Sequence, residues 1–272
     1  MNTHRAEVRR GQRFSFGRNW QNFARSITPG RIETAEASLR ELLRVDDIKN
    51  RGFLDAGSGS GLFSLAARNL GATVRSFDYD PDSVACTASV RDRQRPGDQN
   101  WRVEEGSVLD PEYLDSLGQF DIVYSWGVLH HTGDMWSAIR NVSRRVKPDG
   151  LLVIALYNDQ GWVSRLWKRI KQVYCSGLPG RSLVVAVFFP YFFLRTVWKS
   201  VRSGRNEFAA YRERRGMSII HDWLDWLGGL PFEVASVDAT SNFLIELGFE
   251  LVNVVKNTGR GNNQFVFLRT SG

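Results

Sequence analysis

The chain has 272 residues, 42% of them apolar, enough for one sizeable core and an elaboration. Two cysteines, Cys86 and Cys175, stand without paired spacing, which excludes a disulfide framework and a zinc motif. The formal net charge of +7 is uneven: residues 161–215 hold twelve Lys/Arg against Glu207 and Glu213, so that segment carries +10 and the remainder −3.

Residues 1–13 are polar and basic with no apolar stretch, unlike a secretory signal, so the expected location is cytoplasmic. An aromatic arm with Phe14, Phe16 and Trp20 follows. Ile32 to Leu43 has helical periodicity, with Ala35, Leu39, Leu42 and Leu43 on one side. Residues 1–49 therefore read as an N-terminal helical cap.

Phe53-Leu54-Asp55-Ala56-Gly57-Ser58-Gly59-Ser60-Gly61 is the most informative stretch. It reads as a buried strand, a tight turn and the start of a helix at Leu62. Glycines serve where backbone bends with positive φ or comes within touching distance of a ligand. The N–H groups of the helix start favour an anionic group. A dinucleotide turn, G-x-G-x-x-G from Gly57, needs glycine at the position of Leu62, which argues against NAD.

Ala72 to Phe77 reads as the second strand, with Asp78, Tyr79, Asp80 and Pro81 at its end. Asp80 suits a helix N-cap, and Asp78, directly at the strand end, suits two ribose hydroxyls; its alternative is a turn residue. Trp101–Glu105 leads to Gly106-Ser107-Val108. Phe120 to Ser125 is the fourth strand, followed by Trp126, Gly127 and the pair His130-His131. Gly150 to Tyr157 is the fifth, after a turn at Val146–Asp149. This alternation predicts an α/β fold with a parallel sheet covered on both faces.

Between Tyr157 and Val234 lies a segment too long for one crossover helix, holding Trp162, Trp167, Trp198, Trp223 and Trp226. Within it, the twelve apolar residues Leu183 to Leu194, interrupted by Pro190, fall short of the ~20 a spanning helix needs. The run reads either as the buried core of a lid or as an interfacial helix on an anionic membrane, flanked by Arg181, Arg195, Lys199 and Arg202. Nucleic acid ranks below both, since no RNA-binding module motif is present. Ser236 to Leu247 reads as a helix, then Phe249–Val255 and Gln264–Arg269 as a hairpin across a Gly/Asn loop.

The order of these motifs over about residues 50–157 resembles the class I S-adenosylmethionine (SAM) methyltransferases. The resemblance implies a Rossmann-like, doubly wound, seven-stranded sheet with an antiparallel last strand and a large helical lid insertion. The expected units are 1–49, 50–158, 159–234 and 235–272. It implies SAM as cofactor, leaving as S-adenosylhomocysteine, near Asp55, Gly57, Ser58, Gly59, Gly61, Asp78, Tyr79, Ser125 and Trp126. Ser107 and Val108 would frame the adenine, and Trp20 of the arm would close over the methionine end.

The strand-four end then faces the transferring methyl group. A histidine there is suited to take a proton, so His131, His130 and, from the insertion, His221 are the catalytic candidates, one of the adjacent pair being structural. His221-Asp222-Trp223 reads equally as a helix start. The nearest subgroup by pattern, the ubiquinone-pathway O-methyltransferases, has E-x-x-E-H here with an associated divalent metal. Gly127, His130 and His131 stand at those positions and only the last is retained, so no metal is expected. The expected reaction is methyl transfer to an O or N nucleophile of a small acceptor, aromatic or hydrophobic; the alternatives are a lipid-like, peptide or RNA acceptor at an anionic surface, or a non-catalytic SAM-binding accessory protein.

Overall fold

The computed structural model describes residues 3–17, 20, 24, 27–215, 219–257, 259 and 261–270. Seven strands form one sheet: β1 (Gly52–Ala56), β2 (Thr73–Asp78), β3 (Trp101–Glu105), β4 (Phe120–Trp126), β5 (Val146–Tyr157), β6 (Phe249–Val255) and β7 (Asn262–Arg269). Their order is β3-β2-β1-β4-β5-β7-β6. The first five run parallel, and β7 lies antiparallel between β5 and β6. The expected fold class holds.

Successive strand residues point to opposite faces. Phe53 thus joins a core with Leu39, Leu65, Val74 and Val153, beneath α2 (Pro29–Leu43), α3 (Leu62–Asn69) and α4 (Pro81–Gln94). Leu54 joins the opposite core with Phe77, Leu114, Ile139 and Leu244, beneath α5 (Pro111–Ser116), α6 (Met135–Ser143) and α11 (Val237–Ile245). Both faces are covered, which is why the central strands are apolar runs rather than alternating ones. The four residues picked by periodicity in α2 are its buried ones. Strand β5 starts at Val146, four residues before the expected Gly150, because a register shift beside Phe120 lets the Lys147–Asp149 stretch stay in the strand.

The N-terminal arm carries α1 (Thr3–Arg9). The insertion folds into α7 (Trp162–Cys175), α8 (Leu178–Ser203), α9 (Glu207–Arg215) and α10 (Ile219–Gly228). These share a separate core of Trp167, Tyr174, Val184, Phe192, Trp223 and Leu227.

Two expectations about the apolar run need correction. It is not buried inside a lid: Val184 and Phe192 face the small core, but Leu183, Val187, Tyr191, Phe193 and Leu194 are exposed. Nor does Pro190 interrupt it, for α8 continues through Pro190 over 26 residues, and an 18-residue stretch of it has mean hydropathy 1.3, long and apolar enough by length and composition to cross a membrane. Proline deletes one i→i−4 bond. Ala186, whose carbonyl loses it, and Pro190 itself are both exposed, so solvent meets that carbonyl.

Candidate active site

The turn after β1 is shaped by glycine where no side chain fits. Gly57 has φ +93°, and a Cβ there would fall 2.4 Å from the Val128 side chain. Gly59, at φ +52°, lies against the Trp20 indole, 3.2 Å from an added Cβ. Its N–H donates to Asp78 Oδ2 at 2.9 Å, and the Asp80 N–H donates to Asp78 Oδ1 at 2.9 Å. Asp78 is thereby fixed at the β2 end, and burial pushes its carboxyl up to about 6. Asp80 caps α4 through the Asp82 N–H and also accepts from the Gly17 N–H at 2.9 Å.

These groups border a cavity of about 860 Å³ beyond the carboxyl ends of the parallel strands. That volume lies toward the upper end of the roughly 300–1,000 Å³ usual for small-molecule pockets. The structure brings Trp20, Gly57, Gly59, Asp78, Tyr79, Ser107, Val108, Trp126, His130 and His131 into its wall. Asp55, Ser58, Gly61 and Ser125 stand behind the wall instead. Asp55 is buried and accepts from Ser64 Oγ at 2.5 Å. Ser64 pairs with Ser76 at 2.7 Å, and the Trp101 indole N–H donates to Ser76 Oγ at 2.9 Å. Burial raises the Asp55 carboxyl to about 7. Ser58 pairs with Thr87 Oγ1, Ser125 donates to the Ala56 carbonyl, and Gly61 caps α3. These four hold the turn and strands in place rather than face a ligand. His221 lies on α10, and its side chain is outside those described.

The two adjacent histidines differ. His130 is buried and its Nδ1 accepts the Tyr157 N–H at 3.3 Å; its Nε2 has no partner among the described residues. His131 is half-buried, and its Nδ1 lies 2.6 Å from the Pro231 carbonyl. A carbonyl only accepts, so Nδ1 carries the proton and the neutral ring keeps Nε2 as its acceptor. Burial holds both rings neutral, His131 down to about 3 and His130 well below its usual value.

Several wall residues escaped the sequence reading. Arg13 Nη1 and Nη2 donate to the carbonyls of His131 and Thr132 at 2.7 and 3.3 Å, and its Nε to Glu7 at 2.8 Å, latching the arm to the histidine turn. Asn262 enters through its ladder position opposite Tyr157, with Oδ1 buried and without a partner among the described residues. Arg195, Phe192 and Trp226 come from the insertion, together with Trp223, which the sequence offered either as a pocket residue or as part of a helix start. Behind the wall, Lys171 is buried with its Nζ 4.4 Å from the Trp226 ring centre, donating to the Trp226 carbonyl, and burial lowers it to about 7. Only the aromatic arm and the tryptophans gave a signal in sequence; the rest have none at short range.

Residues 54–154 match the family described as a methyltransferase domain. Over this segment the chain is similar to the class I S-adenosylmethionine-dependent methyltransferases. The same part resembles the ubiquinone biosynthesis O-methyltransferase of Xanthomonas oryzae pv. oryzae, 29% identical over 133 residues, 49% of this chain and 51% of that one. A protein of the same description from Paramagnetospirillum magneticum is 32% identical over 105 residues, 39% of this chain and 40% of that one. The chain thus spans about half, or less, of the length of these relatives. The magnesium protoporphyrin IX methyltransferase of Synechocystis PCC 6803, solved with bound S-adenosylhomocysteine, superposes with a TM-score of 0.55 over 90% of this chain and 86% of that one at 13% identity, which speaks to fold alone.

This segment fits the cofactor of that class in the features already described: a glycine cradle that a Cβ would fill and a fixed carboxylate at the β2 end. Among the described residues, no three His, Cys, Asp or Glu side chains are grouped as a divalent metal would need.

Proposed function

We propose that this chain transfers the methyl group of S-adenosylmethionine to an oxygen nucleophile of a small, aromatic or hydrophobic acceptor. When bound, the cofactor supplies an activated methyl on a sulfonium. Asp78, Gly57 and Gly59 would hold its ribose and methionine ends, with Ser107 and Val108 at the adenine and Trp20 closing over it. The chain's own contribution is alignment of the two reactants and exclusion of water, the larger share of such a barrier.

His131 carries the reading. Its Nδ1–H is pinned to the Pro231 carbonyl, and it sits in the wall among Phe16 and Tyr157, with ring centres 5.1 and 5.4 Å away. The ring is neutral through the physiological range, so Nε2 keeps a lone pair that would accept the acceptor's hydroxyl hydrogen bond, and take its proton as the hydroxyl acidifies while the new C–O bond forms. The relatives from Xanthomonas oryzae and Paramagnetospirillum magneticum are O-methyltransferases, which also supports oxygen as the nucleophile. Replacing His131 by Ala should lower turnover about 10²–10⁴-fold on a panel of phenols while S-adenosylhomocysteine binding, read by calorimetry, survives. Near-normal turnover in the variant would reduce the histidine to packing.

A second reading has its own observation. Leu183, Val187, Leu194, Trp198 and Val201 of α8 and Trp162 and Leu166 of α7 are exposed on the most basic part of the chain. An apolar face with flanking cations suits the surface of an anionic membrane, from which a lipid-like acceptor would enter.

A further inference from the structure

Charge is distributed around the cavity in a way that speaks to the acceptor. The acids of the described wall are Glu7, Asp78 and Asp80, the last two around the β2 end. Each is committed: Glu7 to Arg13, Asp78 to the N–H groups of Gly59 and Asp80, Asp80 to those of Gly17 and Asp82. The other end of the cavity is formed by aromatic rings, His131, Asn262 and two guanidiniums, that of Arg13, bonded to the His131 carbonyl, and that of Arg195. Glu7, the acid that reaches this end, is already paired with Arg13, so a cationic acceptor finds no free counter-charge among the described residues there.

Arg195 differs from the other cations near the site. Arg13 spends its donors on Glu7 and two backbone carbonyls. Lys171 is buried behind Trp226. Arg195 is exposed and has no ion-pair or hydrogen-bond partner among the described residues, although it stands in the wall. Its position follows from helix geometry. Phe192, one turn earlier on the same side of α8, is buried against Trp223 with ring centres 5.6 Å apart. Trp226 then meets Tyr157 edge-on at 5.6 Å, which leads inward to the histidines. A planar body lying along these rings with its nucleophile at His131 would carry its outer substituent to Arg195. Guanidinium geometry matches carboxylate, sulfonate and phosphate oxygens in bidentate fashion.

We propose that the methyl acceptor is an aromatic compound bearing an anionic group, which Arg195 receives at the mouth of the cavity. This rests on the methyl-transfer reading above, because it takes the histidine end of the cavity as the acceptor's seat. Arg195 is then a specificity-determining residue contributed by the insertion.

The probes are 6-hydroxy-2-naphthoate and its methyl ester, which differ in charge but share the hydroxyl nucleophile. Binding to protein saturated with S-adenosylhomocysteine is followed by tryptophan fluorescence, and methyl transfer is followed with S-adenosylmethionine. The acid should bind at least tenfold more tightly than the ester, and the preference should shrink as salt rises, because an exposed guanidinium is screened. Arg195→Gln should erase most of that preference through the KM of the acid, Arg195→Lys should restore part of it, and Arg202→Gln, on the outer flank, should leave it intact. Equal affinity of wild-type protein for acid and ester, failure to bind either, or an equal loss for both in Arg195→Gln would overturn the anion subsite. Selective, Arg195-dependent binding of the acid without methyl transfer to either probe would support the subsite and count against the methyl-transfer reading.

Discussion

The sheet with its two helical layers and the insertion solve the same problem differently. In the first, each apolar stretch is closed on both sides: Phe53 and Leu54 enter opposite cores and neither is exposed. Its charges are equally spoken for, with Asp78 and Asp80 each accepting two backbone N–H groups. In the insertion, α8 packs one stripe on Trp167 and Trp223 and leaves Leu183, Val187, Leu194 and Val201 exposed, with Arg195 unpaired among the described residues. The contrast teaches where variability is permitted. A cofactor common to a whole class needs a preorganised, fully satisfied cradle. The surface that meets an acceptor or a membrane must keep its apolar area and its charge available until the partner arrives.

If the sheet half is such a cradle, removing one fixed charge from it should cost affinity for the cofactor. Asp78→Ala should weaken S-adenosylhomocysteine binding by about 1.5–3 kcal/mol in calorimetry, the scale for losing a charged hydrogen-bond partner. An unchanged affinity would reduce Asp78 to a turn residue, leaving its two backbone donors as its whole role.

Lys171 tests the insertion's own core. Its ammonium is buried against Trp226 and Phe232, and burial lowers it to about 7 from an ordinary value near 10.5. Because the folded value is the lower one, the destabilisation is complete below pH 7 and is relieved as pH rises toward the unfolded value. Lys171→Met should therefore raise stability at pH 7 by on the order of 1 kcal/mol or more. The gap between the two proteins in urea unfolding should close between pH 7 and 10. A variant less stable than wild type at pH 7 would mean that the Trp226 carbonyl and the two rings hold the ammonium well enough to offset its lost hydration.

The smallest effect concerns the exposed face. Of the cations expected to flank the apolar run, Arg195 turns to the cavity and Lys199 pairs with Glu207 at 3.1 Å. Arg181 and Arg202 lie over Tyr174 and Trp198, ring centres 5.4 Å away in each case. Replacing these two with Gln should weaken co-sedimentation with phosphatidylserine vesicles by up to ~1 kcal/mol per charge at low salt. If wild-type protein does not sediment with such vesicles at any ionic strength, the membrane reading is lost and α8's outer face needs another partner.

Much of the sheet was legible because its signals are local. Strand runs, the glycine turn, Asp80 as a cap and the buried side of α2 follow from sterics and periodicity within a few residues. Asp55 shows the limit. An acid at the end of β1 reads as a ligand-facing group, yet the pleat turns it toward Ser64 and the interior. The apolar run of α8 shows another limit: its residues surround the helix, so periodicity cannot say which side is covered.

By itself, then, the sequence determined the alternation of elements, the turn that requires glycine and the place of His130 and His131 after β4, since these depend on backbone conformation over short spans. Tertiary structure alone decided that Pro231 fixes the His131 tautomer from 100 residues away. It also decided that Asn262 joins the wall opposite Tyr157, that Arg13 latches the arm to the histidine turn, and that Arg195 faces the cavity while Leu194 and Trp198 are exposed outside it. Each of these contacts depends on how separate elements pack, and no pattern within one element encodes the orientation of another.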